Sequence, residues 1–322
     1  MRKISLLILL FIGLTVYSQD DASQQEAPSR WKRNGIASLQ LNQASFNNWS
    51  AGGENSYAFL ALMKYYADYA HENFSVDNNL NLKYGLQSVG KNALRKNEDL
   101  IEWNTKINQK FSKKWSASGL INFTSQFANG YNYPDDSTVI SKFLAPAYLT
   151  IAPGILYKPV DYFSILFTPA SLRAIFVTDQ ELADLGAFGV DPAEFNEQGA
   201  KVTDGKNSKI KLGAFAEFYL KKNVKTDLDL ESKLNFFYNY LPDNALPSGK
   251  IPLDINWQNF VNYRISKWFS TTFFIHLAYM PTDIRIESIP PPSGIGGNEL
   301  KVTPNNKVQL KQTFGIGIAY NF

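Results

Sequence analysis

The last fifteen residues of the chain, Val308 to Phe322, alternate between two kinds of side chain. One set is mainly apolar or aromatic and consists of Val308, Leu310, Gln312, Phe314, Ile316, Ile318, Tyr320 and Phe322. The residues between them are small or polar. Successive side chains of a β-strand point to opposite faces, so the pattern predicts a strand with one apolar face. Such a strand suits a wall between lipid and water, although the last strand of a soluble β-sandwich can alternate too.

The composition of the 322 residues excludes several classes of protein. Mean hydropathy is −0.24, and beyond the N-terminus no apolar run approaches the length of a membrane helix. A membrane barrel is compatible with this value because alternating strands average out on a hydropathy scale. The chain has no Cys and two His, which argues against disulfides, a lipoprotein anchor and a His-rich metal site. A net charge of +3 argues against nucleic acid as a partner.

The N-terminal residues have the features of an export signal. Arg2 and Lys3 precede an apolar stretch from Leu6 to Val16, and Tyr17-Ser18 offers a cleavage point. The apolar stretch is too short to span a membrane comfortably, which argues against an anchor. We therefore predict a cleaved signal peptide at 1–18, a periplasmic tether at 19–33 and a barrel at 34–322.

About twelve alternating segments follow, joined in turn by short turns and long polar loops. The predicted strands are about Gly35–Asn42, Ser56–Tyr69, Phe74–Gln87, a strand ending at Phe111, Trp115–Phe127, Ala147–Tyr157, Tyr162–Val177, Lys209–Leu220, Val224–Tyr238, Ile251–Ile265, Trp268–Met280 and Val308–Phe322. Outer-membrane barrels have this even strand number and this alternation of turns and loops, whereas a sandwich has no reason to keep it. Aromatic residues flank the short turns, as expected at the headgroup level. Pro153 and Pro169 indicate bulges.

Several motifs are similar to those of a known family. They are Asn47–Asn55 with its Trp-x-x-Gly-Gly core, Asp77–Leu80, Tyr84–Gln87, Gln126–Tyr131 and Phe143–Tyr148. Through them the mature chain resembles a Bacteroidota family of outer-membrane barrels, the domain-of-unknown-function family 3078 (DUF3078). The resemblance implies the fold and the location but no activity, ligand or catalytic residue. Phe322 also resembles the terminal signal read by the barrel-assembly machinery, which implies that machinery as a partner.

Inward-facing charges on one hairpin are the first candidate site. With a turn predicted at Lys221–Asn223, Glu217 and Asp227 should lie nearly opposite each other, and Asp229 follows on the same face. Adjacent carboxylates can hold a proton or a cation. The alternative is neutralisation by lysines and Arg264 on the same wall, which would fill a narrow barrel with ion pairs. Because a calcium site needs six or more oxygens, we expect no metal site and no cofactor.

His276 is predicted to face inward on the penultimate strand, across from Asn256 or Gln258. Ser270 and Thr272 share its face. A Ser–His pair on a twelve-strand barrel resembles outer-membrane phospholipase, but there the site faces the lipid and the Ser lies on another strand. No catalytic triad can be built from these residues, so we predict that the chain is not an enzyme.

The long loops supply the remaining candidates. Trp49 with Gly52 and Gly53 forms either a structural loop tip that packs over the barrel mouth or a binding site for a ligand or partner. The longest loop, about Thr178 to Ser208, could fold inward, and Gln180 to Phe188 could hold one or two helical turns.

The sequence therefore predicts an all-β, antiparallel up-and-down barrel of about twelve strands that crosses the bacterial outer membrane and contacts its lipid. Open porins use about 16–18 strands, so a constricted lumen is expected. The leading hypothesis is passage or binding of a small polar or amphiphilic solute. The second is a structural or assembly partner that acts through its loops, and the third is a lipid-active enzyme.

Overall fold

The computed structural model describes residues 30–45, 54–90, 92–133, 135–243, 246, 248–282, 284–289, 299–304 and 307–321. Side chains are described for all of these except Ala44, residues 284–289, residues 299–304 and Asn321. The predicted signal peptide, the tether up to residue 29, the loop residues Trp49, Gly52 and Gly53, and the terminal Phe322 lie outside the described residues and stay predictions. No helix in the described part of the chain is long and apolar enough to cross a membrane.

The described residues form eighteen β-strands and very little helix. The first nine strands are β1 (Trp31–Ala44), β2 (Ser56–His71), β3 (Phe74–Val89), β4 (Arg95–Lys110), β5 (Trp115–Ser125), β6 (Gly130–Tyr131), β7 (Val139–Ser141), β8 (Ala147–Val160) and β9 (Phe163–Phe176). The other nine are β10 (Glu194–Phe195), β11 (Lys201–Thr203), β12 (Ser208–Lys225), β13 (Leu228–Asn239), β14 (Leu253–Arg264), β15 (Phe269–Tyr279), β16 (Ile284–Ile289), β17 (Glu299–Pro304) and β18 (Gln309–Asn321). Helix α1 (Gln180–Asp184) and a 3₁₀ turn (Ala187–Gly189) lie between β9 and β10.

Twelve of the described strands close a barrel in the order β1-β18-β15-β14-β13-β12-β9-β8-β5-β4-β3-β2. Every neighbouring pair is antiparallel, and β1 pairs with β18 to complete the ring. The predicted up-and-down barrel of about twelve strands is therefore confirmed. The other described strands form the small hairpins β6–β7, β10–β11 and β16–β17 within the long loops.

The outward faces of the barrel strands form an apolar belt, here called the membrane belt. Leu39 of β1 is 71% exposed, and Phe314 and Ile318 of β18 are 61% and 62% exposed. Phe74 and Ile316 are exposed on the same outer surface. A continuous apolar surface of this kind would aggregate in water, whereas lipid covers it. The apolar face predicted from the alternation in β18 therefore lies on the outside of the barrel.

Aromatic side chains gather at the end of the barrel where the strands are joined by short turns. Trp31 lies 5.3 Å from Tyr69 between ring centroids, and Trp268 stacks on Tyr320 at 5.9 Å. Tyr157 contacts Trp115 at 4.4 Å. Amphipathic rings at one level mark a membrane–water interface, so this end is the periplasmic rim of the barrel.

The small face of β18 has a specific role at the seam where the barrel closes. Gln40 of β1 donates a hydrogen bond from Nε2 to Oγ1 of Thr272 on β15, at 2.8 Å. The strand β18 lies between these two strands, and Gly315 of β18 is paired with Thr272. A Cβ on Gly315 would collide with the Gln40 side chain, so glycine allows Gln40 to cross the neighbouring strand.

Several strand ends differ from the predicted ones, and two of these differences affect the domain limits and the hairpin that carries Glu217. Strand β1 begins at Trp31, so residues 31–33 of the predicted tether are part of the barrel. Strand β12 continues to Lys225, and the turn lies at residues 226–227 instead of Lys221–Asn223. The polar residues near the rim resemble a turn because both faces of the strand are wet there, so the apolar alternation stops before the strand does.

The two prolines do mark irregular pairing, as predicted. The register of β8 against β9 shifts between Ile151 and Ile155, which brackets Pro153. Next to Pro169, the pairing of β12 with β9 shifts between Gly213 and Phe215. Proline cannot donate a ladder hydrogen bond, so the strands accommodate it through a bulge.

Candidate functional site

Three ion pairs cross the lumen near the middle of the barrel and form what we call the ion-pair waist. Lys233 Nζ lies 2.5 Å from Glu102 Oε1. The other two pairs are Lys106 Nζ–Glu217 Oε1 at 2.6 Å and Lys64 Nζ–Glu231 Oε2 at 2.7 Å. All six side chains are largely shielded from solvent.

The ring order shows that these pairs span the lumen. Lys233 is on β13 and Glu102 is on β4, and the strands β12, β9, β8 and β5 lie between them on one side, with six strands on the other. Lys64 of β2 and Glu231 of β13 are separated in the same way. Side chains that pair from nearly opposite walls occupy the space between those walls, so the waist narrows the lumen.

Further hydrogen bonds hold two of the three waist carboxylates, Glu231 and Glu102, in place. Tyr66 and Tyr219 donate from their hydroxyl groups to the two oxygens of Glu231, at 3.1 and 3.2 Å. Asn81 Nδ2 donates to Glu102 Oε2 at 3.2 Å. Buried charges need both a counter-charge and hydrogen bonds, and these three donors supply the second requirement.

A cavity of about 340 Å³, the lower cavity, lies between the waist and the periplasmic rim. Its wall beyond the waist includes the polar residues Asp68, Asp77 and Asn79 beside apolar residues such as Leu156 and Phe163. Lys158 and Asp161, which belong to the end of β8 and the turn after it, stand at its mouth. The charged wall favours water and small polar solutes over apolar ones.

A second cavity of about 350 Å³, the upper cavity, lies between the waist and the long loops. Much of its wall is aromatic or aliphatic, contributed by Tyr148, Ile175, Phe188, Phe215, Phe237 and Met280. The rest of the wall is polar or charged and includes Lys83, Asn235, Asn256 and His276. A concave site with aromatic walls and polar groups that fix orientation is a usual form of a small-molecule binding site.

The loop after β9 covers the end of the upper cavity, and we call residues 177–207 the cap. Leu182, Ala187 and Val190 are buried in a cluster with Ile175 of the barrel wall. Phe188, at a positive φ of 59°, belongs to the cavity lining. The structure therefore places this loop against the barrel, with helix α1 and the 3₁₀ turn in the stretch where helical turns were predicted.

Polar contacts fix the shape of the cap. Asp179 caps the start of α1, because it accepts a hydrogen bond from the backbone N–H of Leu182 at 2.9 Å. The Asp179 carboxylate also forms an ion pair with Lys142. Asp184 accepts bonds from Lys201 Nζ at 2.8 Å and from the Gly205 N–H at 2.8 Å. The bonds from Lys201, Gln180 and Gly205 lower the pKa of Asp184 to about 2.

The structure places His276 on the inner face of β15, opposite Gln258. Its Nε2 has no hydrogen-bond partner among the described residues. Thr272 and Ser270 share its face, but they are four and six residues away along the same strand, or roughly 13 and 20 Å. No hydroxyl on this strand can therefore exchange a proton with the imidazole.

The predicted juxtaposition of Glu217 and Asp227 is wrong. Glu217 is paired with Asn235 in the sheet and forms an ion pair with Lys106. Asp227 lies in the turn, eight residues before Asn235, which corresponds to roughly 25 Å along the strand. The misplaced turn explains the error, because it shifted the pairing of the whole hairpin.

Asp229 and Arg264 do come together, near the periplasmic rim. Arg264 Nη1 donates to Asp229 Oδ2 at 2.8 Å, and Arg264 also donates to the backbone oxygen of Thr226. Asn223 donates to the other oxygen of Asp229 at 2.9 Å. These bonds tie β14 to the turn between β12 and β13.

One family is recognised in the first half of the chain. The model described as "protein of unknown function (DUF3078)" matches residues 41–131. Residues 41–131 carry the DUF3078 sequence. The match confirms the family resemblance over these residues, whereas the Phe143–Tyr148 motif lies outside it. No curated protein matches the chain.

Solved barrels resemble this chain in architecture. The translocator domain of the autotransporter NalP from Neisseria meningitidis is 9% identical, with 92% of this chain and 90% of that chain covered and a TM-score of 0.33. An outer membrane channel from Pseudomonas putida F1 is 10% identical over 94% and 99% of the two chains, with a TM-score of 0.38. The toluene transporter TodX from Pseudomonas putida is 10% identical over 92% and 90%, with a TM-score of 0.28. At these values the likeness carries no functional information.

The DUF3078 segment supplies one side of the waist. It contains Lys64, Glu102 and Lys106 on β2 and β4, whereas their partners lie on β12 and β13, outside the match. Of these six residues the sequence reasoning singled out Glu217 alone as a site residue. The signal that could have found the others was a lysine or glutamate at an inward position of a strand.

Proposed function

We propose that this chain is a bacterial outer-membrane barrel that passes small solutes through a waist which is closed at rest and can open. The ion-pair waist carries the proposal. It divides the lumen into two cavities instead of leaving either an open pore or a solid core.

The chemistry of the waist supports passage over a purely structural role. Apolar residues of similar volume usually serve stability as well as or better than a buried ion pair does. Lysine side chains, in contrast, have large rotamer freedom, and an ammonium that leaves its carboxylate can be rehydrated from the cavities on either side. A charged closure therefore opens at a lower cost than an apolar one would.

Conductance in planar lipid bilayers tests the proposal. The double variant Glu102→Ala/Lys233→Ala shortens both partners of one pair and should raise the single-channel conductance or open probability severalfold over the wild type. Adding Lys106→Ala/Glu217→Ala should raise it further, because each pair removed widens the waist.

The control is an ion pair at the mouth of the lower cavity. Lys158 Nζ and Asp161 Oδ1 are 3.9 Å apart, and both side chains are exposed. Lys158→Ala/Asp161→Ala should leave the conductance close to that of the wild type. Absence of channel events in the wild type and in both waist variants would refute the proposal.

The proposal includes no chemical step, and it treats the chain as a non-enzymatic barrel. The isolation of the His276 imidazole from Ser270 and Thr272 supports this view. A structural or assembly role through the loops is the competing function. Absence of channel events from the waist variants in planar bilayers, together with stoichiometric co-purification of a partner protein, would favour that role.

A further inference from the structure

Lys83 of β3 is a buried cation that the waist does not neutralise. Its side chain lines both the upper and the lower cavity, and the residue is 4% exposed. Among the described residues it makes no ion pair. Its Nζ lies 3.5 Å from the centroid of the Phe274 ring, a contact that uses one face of the ammonium and leaves other N–H donors free.

The carboxylates around Lys83 are occupied by other lysines. Glu102 is bound to Lys233 at 2.5 Å, and Glu98 is bound to Lys311 at 2.7 Å. The three lysines of the waist are matched by its three glutamates, so Lys83 adds one unmatched positive charge to the floor of the upper cavity. An uncompensated buried charge is costly, and an anion that enters the cavity would relieve that cost.

Above Lys83, the upper cavity combines apolar walls with unpartnered polar atoms. Phe215 and Phe237 are almost fully buried in its wall. Oδ1 of Asn235, Oδ1 of Asn256 and Nε2 of His276 have no hydrogen-bond partner among the described residues. The cavity thus offers aromatic walls, unpartnered polar atoms and one charge without a counter-charge, which are the features of a ligand site.

We propose that the upper cavity binds a small amphiphile that carries a carboxylate. The carboxylate lies against Lys83, and the apolar body of the molecule packs against the aromatic wall. A carboxylate brings the single negative charge that one unpaired lysine requires, whereas a phosphate monoester brings about −1.5 to −2. The cavity volume of about 350 Å³ is at the small end for ligand sites and limits the size of the molecule.

This inference names the solute class of the passage proposed above and rests on that function for its biological meaning. Binding itself, however, needs no ion flow. The test is isothermal titration calorimetry with the barrel in lipid nanodiscs, in which empty nanodiscs are subtracted to remove partitioning into lipid. The probes are octanoate, the matched neutral octanol and the matched cation octylammonium.

Octanoate should bind saturably, at least about tenfold more tightly than octanol, and octylammonium should bind more weakly still. The variant Lys83→Met keeps the length and loses the charge, so its octanoate affinity should fall by about tenfold to a hundredfold, while octanol binding is kept. Retained octanol binding also shows that the variant is folded. Lys83→Arg should restore much of the preference for octanoate, because it restores the charge.

A control variant on the surface separates the local effect from a general change of charge. Lys113 lies in the exposed turn between β4 and β5, and Lys113→Met should leave all three affinities unchanged. Equal binding of octanoate and octanol, or an octanoate affinity that Lys83→Met does not change, would overturn the assignment. A barrel that binds octanoate but never conducts would contradict the passage and leave this site standing. A barrel that conducts but binds octanoate and octanol equally would support the passage and contradict this site.

Discussion

The two cavities of this barrel have similar volumes and different linings. The lower cavity, at the periplasmic rim, is lined by paired lysines and carboxylates and by the apolar residues Leu156, Phe163 and Phe260. The upper cavity has aromatic walls, polar atoms without partners and a folded loop across its end. Among the described residues, three polar atoms without partners line the upper cavity, at Asn235, Asn256 and His276, and one, Oδ1 of Asn81, lines the lower cavity.

This difference in the number of unpartnered atoms supports the ligand site proposed in the upper cavity. Most buried polar atoms in proteins have hydrogen-bond partners, and the exceptions call for an explanation. In the lower half Asn108 donates to Asp77 at 2.9 Å and accepts from Ser118 at 2.7 Å. In the upper half Asn256 has no such bonds. We infer that the lower half acts as a hydrated vestibule, the waist as a divider and the upper half as a chamber.

Removing one member of a waist pair should produce the largest effect on stability. Glu102→Gln leaves Lys233 buried without its counter-charge, and the free energy of unfolding should fall by about 3 kcal/mol. The double variant Glu102→Gln/Lys233→Met removes both charges and should cost about 1 kcal/mol or less. Guanidinium unfolding of the barrel in lipid vesicles, followed by fluorescence, measures both values.

The double variant is the control for the single variant. Glu102→Gln and the double variant change the same carboxylate, so a difference between them isolates the buried ammonium of Lys233. If both variants lost the same free energy, the waist would not be a dry divider, and the two cavities would form one hydrated lumen.

The fold could be predicted because its physical causes are local in sequence. The outward positions of β18 and β3 are apolar since they face lipid, and the short turns have aromatic neighbours since they lie at an interface. The turn at residues 226–227 was missed because the prediction relied on this alternation, which stops before β12 ends. Beyond the lipid both faces of β12 are wet, so Lys221–Asn223 carry no alternation and resemble a turn.

The site could be predicted only in part because its contacts span the ring. The alternation of side chains along each strand correctly placed Glu217, Asp229 and His276 on inner faces. It could not show that Lys106 meets Glu217, since that contact depends on how far the strands are staggered around the closed barrel. The unmatched charge of Lys83 was also hidden, because it appears only once every other lysine has been given its partner.

Two asparagine substitutions, one in each half of the lumen, should differ moderately in their effect on the free energy of unfolding. Asn108→Leu in the lower half removes three hydrogen bonds, those with Ser75, Asp77 and Ser118, so the free energy of unfolding should fall by about 1–3 kcal/mol. Asn256→Leu in the upper half removes an amide without partners and should be neutral within about 0.5 kcal/mol, or stabilising.

The same unfolding measurement gives both asparagine values, and each variant serves as the control for the other. Equal losses would mean that Asn256 is as well satisfied as Asn108, and the distinction between vestibule and chamber would fail. Asn256→Leu should still weaken octanol binding if the amide contacts the ligand.

The cap should respond to acid, with the smallest of these effects. The pKa of Asp184 is lowered to about 2, against an ordinary value of about 3.9. Its contribution to the folded cap is therefore fully present above pH 4 and is lost as the pH falls through 2. The Gly205 amide, which donates to Asp184 at 2.8 Å, reports this change directly through hydrogen exchange.

Gly205 should lose protection, after correction for the intrinsic exchange rate, between pH 4 and pH 2. The Val177 amide, which donates to the backbone oxygen of Asn207 at 2.8 Å and involves no carboxylate, is the control and should keep its protection. In Asp184→Asn the protection of Gly205 should be low and independent of pH. If both amides lost protection together, the acid effect would lie in the barrel as a whole, and the cap could not be treated as a closure specific to the upper cavity.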